Sequence, residues 1–209
     1  IGADASNPGV TGVTRIGNTA TADLNLDGTV YSTGGATTFT AVSGGTIDLG
    51  GSSPTFTTSA DTITFGTANV KVADGTLTVN SVGGLIDFEG SILGTSDEVL
   101  VLNANGSGTD AASANEKVIV AAIGTGNQIH SVSITGRDGI TLEGNITTGN
   151  KASNNVSFTG PVTINTATVA IDTDATGNDG TVTFSSTIDS VSGTSRNLDI
   201  VCLLYTSPS

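Results

Sequence analysis

Aspartate and asparagine alternate with leucine in Asp23-Leu24-Asn25-Leu26-Asp27-Gly28. This spacing fits the opening half of a D-x-[DN]-x-[DN]-G loop, in which alternate side-chain oxygens converge on a hard cation and glycine permits a sharp turn. The twelfth position of such a loop falls on Gly34, where a bidentate carboxylate is required. A second acidic stretch, DTDATGND, supplies Asp172, Asp174 and Asp179. Calcium is the cation these oxygens would suit, and no other cofactor is expected. The metal candidates are therefore Asp23, Asn25, Asp27, Asp172, Asp174 and Asp179. The first stretch also reads as a plain strand, with Leu24 and Leu26 on one face and the three oxygen-bearing residues in water. The glycine-rich nonapeptide of calcium-binding β-rolls does not occur.

Acid–base and nucleophilic chemistry has few candidates. His130 is the single histidine, its surroundings NQIHSVSIT resemble no nucleophile motif, and there is no G-x-S-x-G. It reads as a strand residue. Arg137, Asp138 and Glu143 are the candidates for the groove cations and carboxylates that β-helical polysaccharide lyases and glycosidases use. Asp138-Gly139 is more simply a turn, like the Asp-Gly pairs at Asp27, Asp74 and Asp179. The chain is expected to be non-catalytic. Thr-x-Thr phrases at Thr62–Thr64, Thr76–Thr78 and Thr181–Thr183 raise a third class, an ice-binding solenoid, but that face needs strict repetition and the period here wanders.

Charge narrows the partners. The 209 residues carry 19 acidic and 6 basic side chains, a formal charge of −13, and the basic residues are scattered singly. Nucleic acid and anionic membranes require clustered Lys and Arg to release counterions, so neither is expected as a partner. No apolar run approaches the length that spans a bilayer. The last eight residues, CLLYTSPS from Cys202 to Ser209, break from the preceding Thr/Gly/Asp pattern and resemble a translated sequencing adapter. They are expected to be a non-native tail, with residues 1–201 an internal fragment of a longer repeat protein. Cys202 is the only cysteine, so thiol chemistry and disulfides are not expected in the native segment.

The elements that must position these residues repeat. The phrases GTIDL from Gly45, DTITF from Asp61, GTLTV from Gly75, GLIDF from Gly84, GITLE from Gly139 and GTVTF from Gly180 each alternate β-formers with polar residues. Each is one half-buried strand, because successive side chains on a strand face opposite sides. No window carries the spacing of an amphipathic helix beyond a single turn near 111–118. Aromatics are 4% and Trp is absent, which disfavours a globular core built on bulky anchors. A narrow continuous core of Val, Ile, Leu and Thr is adequate if levels stack on one another. The expected fold is all-β, a right-handed parallel β-helix of three strands per turn; tandem antiparallel β-sandwiches are the alternative. About 20 residues per turn would give some ten turns and a rod of roughly 50 Å. Loops are expected at 103–115 and 147–155.

The segment VSFTGPVTINTATVAIDTDATGNDGTVTFSSTIDSVSGTSRNLDIV, residues 156–201, resembles the repeat region of very large bacterial surface proteins of the filamentous-haemagglutinin-like class. Residues 136–149 match more loosely, and the rest agrees in style. The resemblance implies a β-helix exported through an outer-membrane partner by two-partner secretion. It further implies an extracellular or cell-surface location and a role as an adhesin or as the stalk of a contact-dependent toxin. The implied partners are host, neighbouring-cell or extracellular polysaccharide or protein surfaces, besides the secretion partner. Within the chain the loops at 103–115 and 147–155 are the expected places for recognition.

Overall fold

Parallel pairing with a residue some two dozen positions ahead sets the architecture. The computed structural model describes residues 13–59, 61–95, 97–105, 115–149, 151–175, 178–202 and 204–206. In it Thr14 pairs with Thr37, Thr37 with Ile63, Ile63 with Ile86, Ile86 with Val118, Val118 with Ile140, Ile140 with Val162 and Val162 with Ile188. The steps are 23, 26, 23, 32, 22, 22 and 26 residues, and every one of these pairings is parallel.

Three short strands make a level. The first holds β1 (Thr14–Gly17), β2 (Asp23–Asn25) and β3 (Val30–Thr33); the second β4 (Thr37–Thr40), β5 (Thr46–Leu49) and β6 (Thr55–Thr58). The third holds β7 (Ile63–Phe65), β8 (Asn69–Val72) and β9 (Thr76–Ser81); the fourth β10 (Ile86–Phe88), β11 (Ile92–Leu93) and β12 (Val99–Ala104). In the fifth, β13 (Lys117–Val120) and β14 (Ser131–Gly136) flank isolated bridge residues at Ile123 and Ile129. The sixth holds β15 (Gly139–Leu142), β16 (Ile146–Thr147) and β17 (Val156–Thr159). The seventh holds β18 (Val162–Ile164), β19 (Thr168–Asp172), a small hairpin of β20 (Asp174–Ala175) and β21 (Asn178–Asp179), and β22 (Thr181–Phe184). The eighth holds β23 (Ile188–Ser190), β24 (Asn197–Val201) and β25 (Leu204–Thr206).

First strands stack into an eight-stranded sheet I and third strands into an eight-stranded sheet III. Second strands form sheet II, whose four-stranded and three-stranded parts are joined through Ile123 to Ile92 and Ile146. The chain is an all-β parallel solenoid of seven turns. The sandwich alternative required antiparallel hairpins throughout, and among the described residues β20–β21 is the only antiparallel strand pair. Corner loops make each turn longer than expected, so there are fewer turns. Seven spacings of about 4.8 Å give a stack of about 34 Å in place of 50 Å.

Inward columns from all three sheets meet in one core. Sheet I contributes Ile16, Phe39, Phe65, Phe88, Val120, Leu142 and Ile164 in register. All six phenylalanines are buried. Five of them stack on their own kind one level apart: Phe39 on Phe65 at 5.0 Å, Phe65 on Phe88 at 4.4 Å, and Phe158 on Phe184 at 4.7 Å. Phe56 of sheet III meets Phe39 and Phe65 edge-on at 5.2 and 5.3 Å. The aromatics are few, but in-register stacking places each ring at the level spacing, where offset pairs are favourable.

Several boundaries differ from the sequence reading. Asn103 and Ala104 continue β12, because Leu102 and Ala104 alternate inward; 106–114 lie outside the described residues. Lys117 and Val118, expected near a helical turn, belong to β13. Thr147 belongs to β16 and Thr148 bridges Ile129, so the second loop is confined to the residues after Thr148. There Asn154, fully buried, donates from Nδ2 to the carbonyls of Gly149, Thr173 and Asn178 at 2.9, 3.0 and 3.1 Å and ties levels six and seven together.

Candidate functional site

The oxygen-bearing residues of the first acidic stretch lie on a strand. β2 turns Leu24 inward and leaves Asp23 and Asn25 exposed on the outer face of sheet II. Strand geometry spaces them by about 7 Å instead of curling them around one point. Asp23 Oδ1 accepts the Thr46 N–H at 3.1 Å, so it serves the ladder to the next level. Asp27 lies beyond β2, past the buried Leu26. In the second stretch Asp172 Oδ1 accepts the Asp174 N–H at 3.0 Å. Asp174 and Asp179 face each other across the β20–β21 hairpin. A hydrogen bond from one carboxyl to the other, and then their mutual repulsion, raise Asp174 above the usual carboxylate range. The second stretch thus brings two of its three carboxylates together. Among the described residues no group of three or more His, Cys, Asp or Glu is placed to hold a metal ion.

The acid–base candidates are divided between separate places. Arg137 Nη1 lies 3.1 Å from Oε2 of Glu116, whose side chain is buried, and Asp138 Oδ2 accepts the Glu116 N–H at 3.1 Å. These residues brace the corner leading into β15. The length of β15, about 13 Å, separates them from Glu143, whose Oε1 accepts Asn165 Nδ2 at 2.8 Å. Glu143 belongs instead to an acidic patch on the outer face of sheet I with Asp87 and Glu89. Partial burial, then repulsion from Glu89 and Glu143, push Asp87 up to about 6.

A corner that the sequence reading missed surrounds His130. Glu98 is 1% exposed. Thr95 Oγ1 donates to Glu98 Oε1, while the Thr95 and Asp97 N–H groups donate to Oε2 at 2.6 and 3.2 Å. Burial alone would raise this carboxyl; the donors outweigh it and hold Glu98 below the usual range. The T-x-x-E spacing was the available signal. His130 donates its backbone N–H to the Glu98 carbonyl at 2.8 Å, and its Nε2 meets the Ala152 carbonyl at 3.0 Å, so Nε2 carries a hydrogen. Lys151 pairs with Asp97 at 2.5 Å. Beside this corner a cleft of about 230 Å³ is lined by Gly94, Thr95, Gly126, Asn127, Gln128 and Thr147. The four side chains among them, Thr95, Asn127, Gln128 and Thr147, are hydroxyls and amides that donate and accept hydrogen bonds.

The three outer faces differ in charge. Sheet I carries Arg15, Asp87, Lys117 and Asp189 outward, with Glu89 and Glu143 just beyond its strands. Sheet II carries Asp23, Asp48, Lys71, Asp172 and Asp199. Among the described residues the strands of sheet III carry no charged residue on their outer face from level two to level seven; Asp74, Asp97 and Asp179 lie just before β9, β12 and β22. The middle column of that face reads Thr55, Thr78, Val101, Ser133, Ser157, Thr183 in unbroken register. One flanking column contains Thr76, Val99 and Ser131; the other reads Thr57, Asn80, Asn103, Thr135 and Thr159. Thr78 and Thr183 therefore share the middle column of this face, while Thr64 belongs to sheet I. Comparison with protein-family models, curated proteins and solved structures gives no match.

Proposed function

We propose that this chain is a non-catalytic structural and adhesive segment of a large exported bacterial protein, serving as a stalk or adhesion surface at the cell surface. The observation that carries the reading is the single core running through eight levels, with each level hydrogen-bonded to the next by parallel ladders. Such a stack is stiff along its axis and can be lengthened by adding levels, because each level contacts only its neighbours. The resemblance of residues 156–201 to filamentous-haemagglutinin-like repeats supports export through an outer-membrane partner and contact with host, neighbouring-cell or extracellular surfaces. The separation of Arg137 and Asp138 from Glu143 favours this reading over a polysaccharide-cleaving enzyme.

The test is adhesion under flow. Beads coated with the purified segment are passed over bacterial lawns, epithelial cells and immobilised polysaccharides, and retained beads and new reducing ends are both measured. Saturable retention without cleavage is expected for the adhesive role. Release of new reducing ends would overturn the non-catalytic reading.

A further inference from the structure

We infer that the outer face of sheet III is a self-association surface, on which a second copy of this chain docks face to face. At a net −13, two copies repel, and approach through sheets I or II would set carboxylates such as Asp87, Asp189, Asp23 and Asp199 against their counterparts. Like charges brought together across an interface are costly. Among the described residues the strands of sheet III present none on that face from level two to level seven, so a contact centred on those strands lets copies meet without desolvating a charge.

Side-chain size favours the same occupant. The middle column, Thr55, Thr78, Val101, Ser133, Ser157 and Thr183, presents short hydroxyls and methyls at one level spacing. Short side chains in register on two flat faces interdigitate at the roughly 10 Å separation of packed sheets. A two-fold axis lying in the plane of the contact turns one face over onto the other and makes the contact closed and self-complementary. A sugar chain would be better served by an exposed aromatic ring, and all six phenylalanines point into the core. An ionic partner would find no counter-charge there.

The area sets the strength. Six levels at about 4.8 Å and three alternate residues across give roughly 500 Å² per copy. A stable interface buries about 800 Å² per partner. The dimer of this segment is therefore weak, and it strengthens as levels are added. The inference stands apart from the proposed export and adhesion, since it concerns only how copies meet.

Sedimentation velocity of the full 209-residue chain across micromolar to millimolar concentrations is the test. The expected result is a concentration-dependent dimer. Thr78→Lys with Ser133→Lys should raise the dimer dissociation constant at least tenfold, with folding verified by an unchanged melting curve. Thr64→Lys with Thr141→Lys, on the outer face of sheet I, is the matched control and should leave the constant within twofold. A parent chain that stays monomeric throughout would overturn the inference. So would equal effects of both pairs, or association unmoved by either, which would place the contact at the ends of the stack. Saturable adsorption of the monomer to ice or to an insoluble neutral glucan, abolished by the sheet III pair, would reassign the face to that occupant.

Discussion

Asp87 and Glu98 are carboxylates shifted in opposite directions, so acid affects them in opposite ways. Asp87 is half-buried beside Glu89 and Glu143, and its folded value of about 6 exceeds the ordinary 3.8. A raised acid leaves the folded state fully favoured below the ordinary value and less favoured as pH rises through about 6. The unscreened linkage is about 3 kcal/mol, and solvent around this half-exposed group reduces it to about 1 kcal/mol. Asp87→Asn should therefore raise the melting temperature by about 2–4 °C at about pH 8 and leave it unchanged at about pH 3. An equal gain at both values would mean that ionisation is not the cause. Glu98 is lowered from 4.5, so the stability it contributes is present above that value and is lost as acid protonates it. Glu98→Gln turns an amide donor toward N–H groups that need an acceptor, and should cost about 2 kcal/mol at pH 7. The gap from the parent chain should narrow in denaturant melts as pH falls through the folded value.

Level spacing constrains the elements more tightly than residue type does. Gly90 has ordinary backbone torsions, but a β-carbon there would lie 2.0 Å from the Ala68 carbonyl oxygen of the level below. That neighbour is backbone and cannot rotate away. Gly90→Ala should cost about 3 kcal/mol, the upper end for overpacking. Gly66→Ala is the matched comparison, since its nearest atom is 3.5 Å away, and it should be neutral in the same urea titration. Phe65, stacked between Phe39 and Phe88 and edge-on to Phe56, should lose about 3–5 kcal/mol on replacement by alanine. The strands themselves were legible, because phrases such as GTLTV and GTVTF alternate with a period of two, and β9 and β22 lie where those phrases stand. The stacking of phenylalanines was not, since Phe39, Phe65 and Phe88 are separated by irregular steps that only the pairing register aligns. The uncharged face was hidden for the same reason: each strand shows two or three of its residues, and their shared face emerges when six levels are superposed. Sequence alternation also could not decide whether Asp23, Asn25 and Asp27 curl around a cation, because strand and loop use the same spacing. Pairing with β5 decides for the strand at Asp23 and Asn25.

Across the whole molecule, stability follows position in the stack. Interior levels are closed above and below, and their inward residues are essentially inaccessible: Val70, Ile86, Leu102, Ile134 and Ile140 are each 0% exposed. Among the described residues the end levels have one neighbouring level, and their inward columns are only partly covered, as at Ile16, Leu24, Ile188, Leu198 and Ile200. Where levels contribute additively through nearest-neighbour contacts, opening begins at the ends and the centre opens last. Amide hydrogen exchange read by mass spectrometry should show the slowest exchange in β9, β12 and β14. Protection should fall by orders of magnitude toward β1, β2, β23 and β24, although all are strands. The gradient should persist in the Thr78→Lys and Ser133→Lys chain, because it reflects stacking within one copy. Uniform protection from end to end would show that the solenoid unfolds as one unit, and would sink the nearest-neighbour account. A gradient that flattened at high protein concentration in the parent chain, but not in that variant, would show lateral pairing stiffening the stack through sheet III.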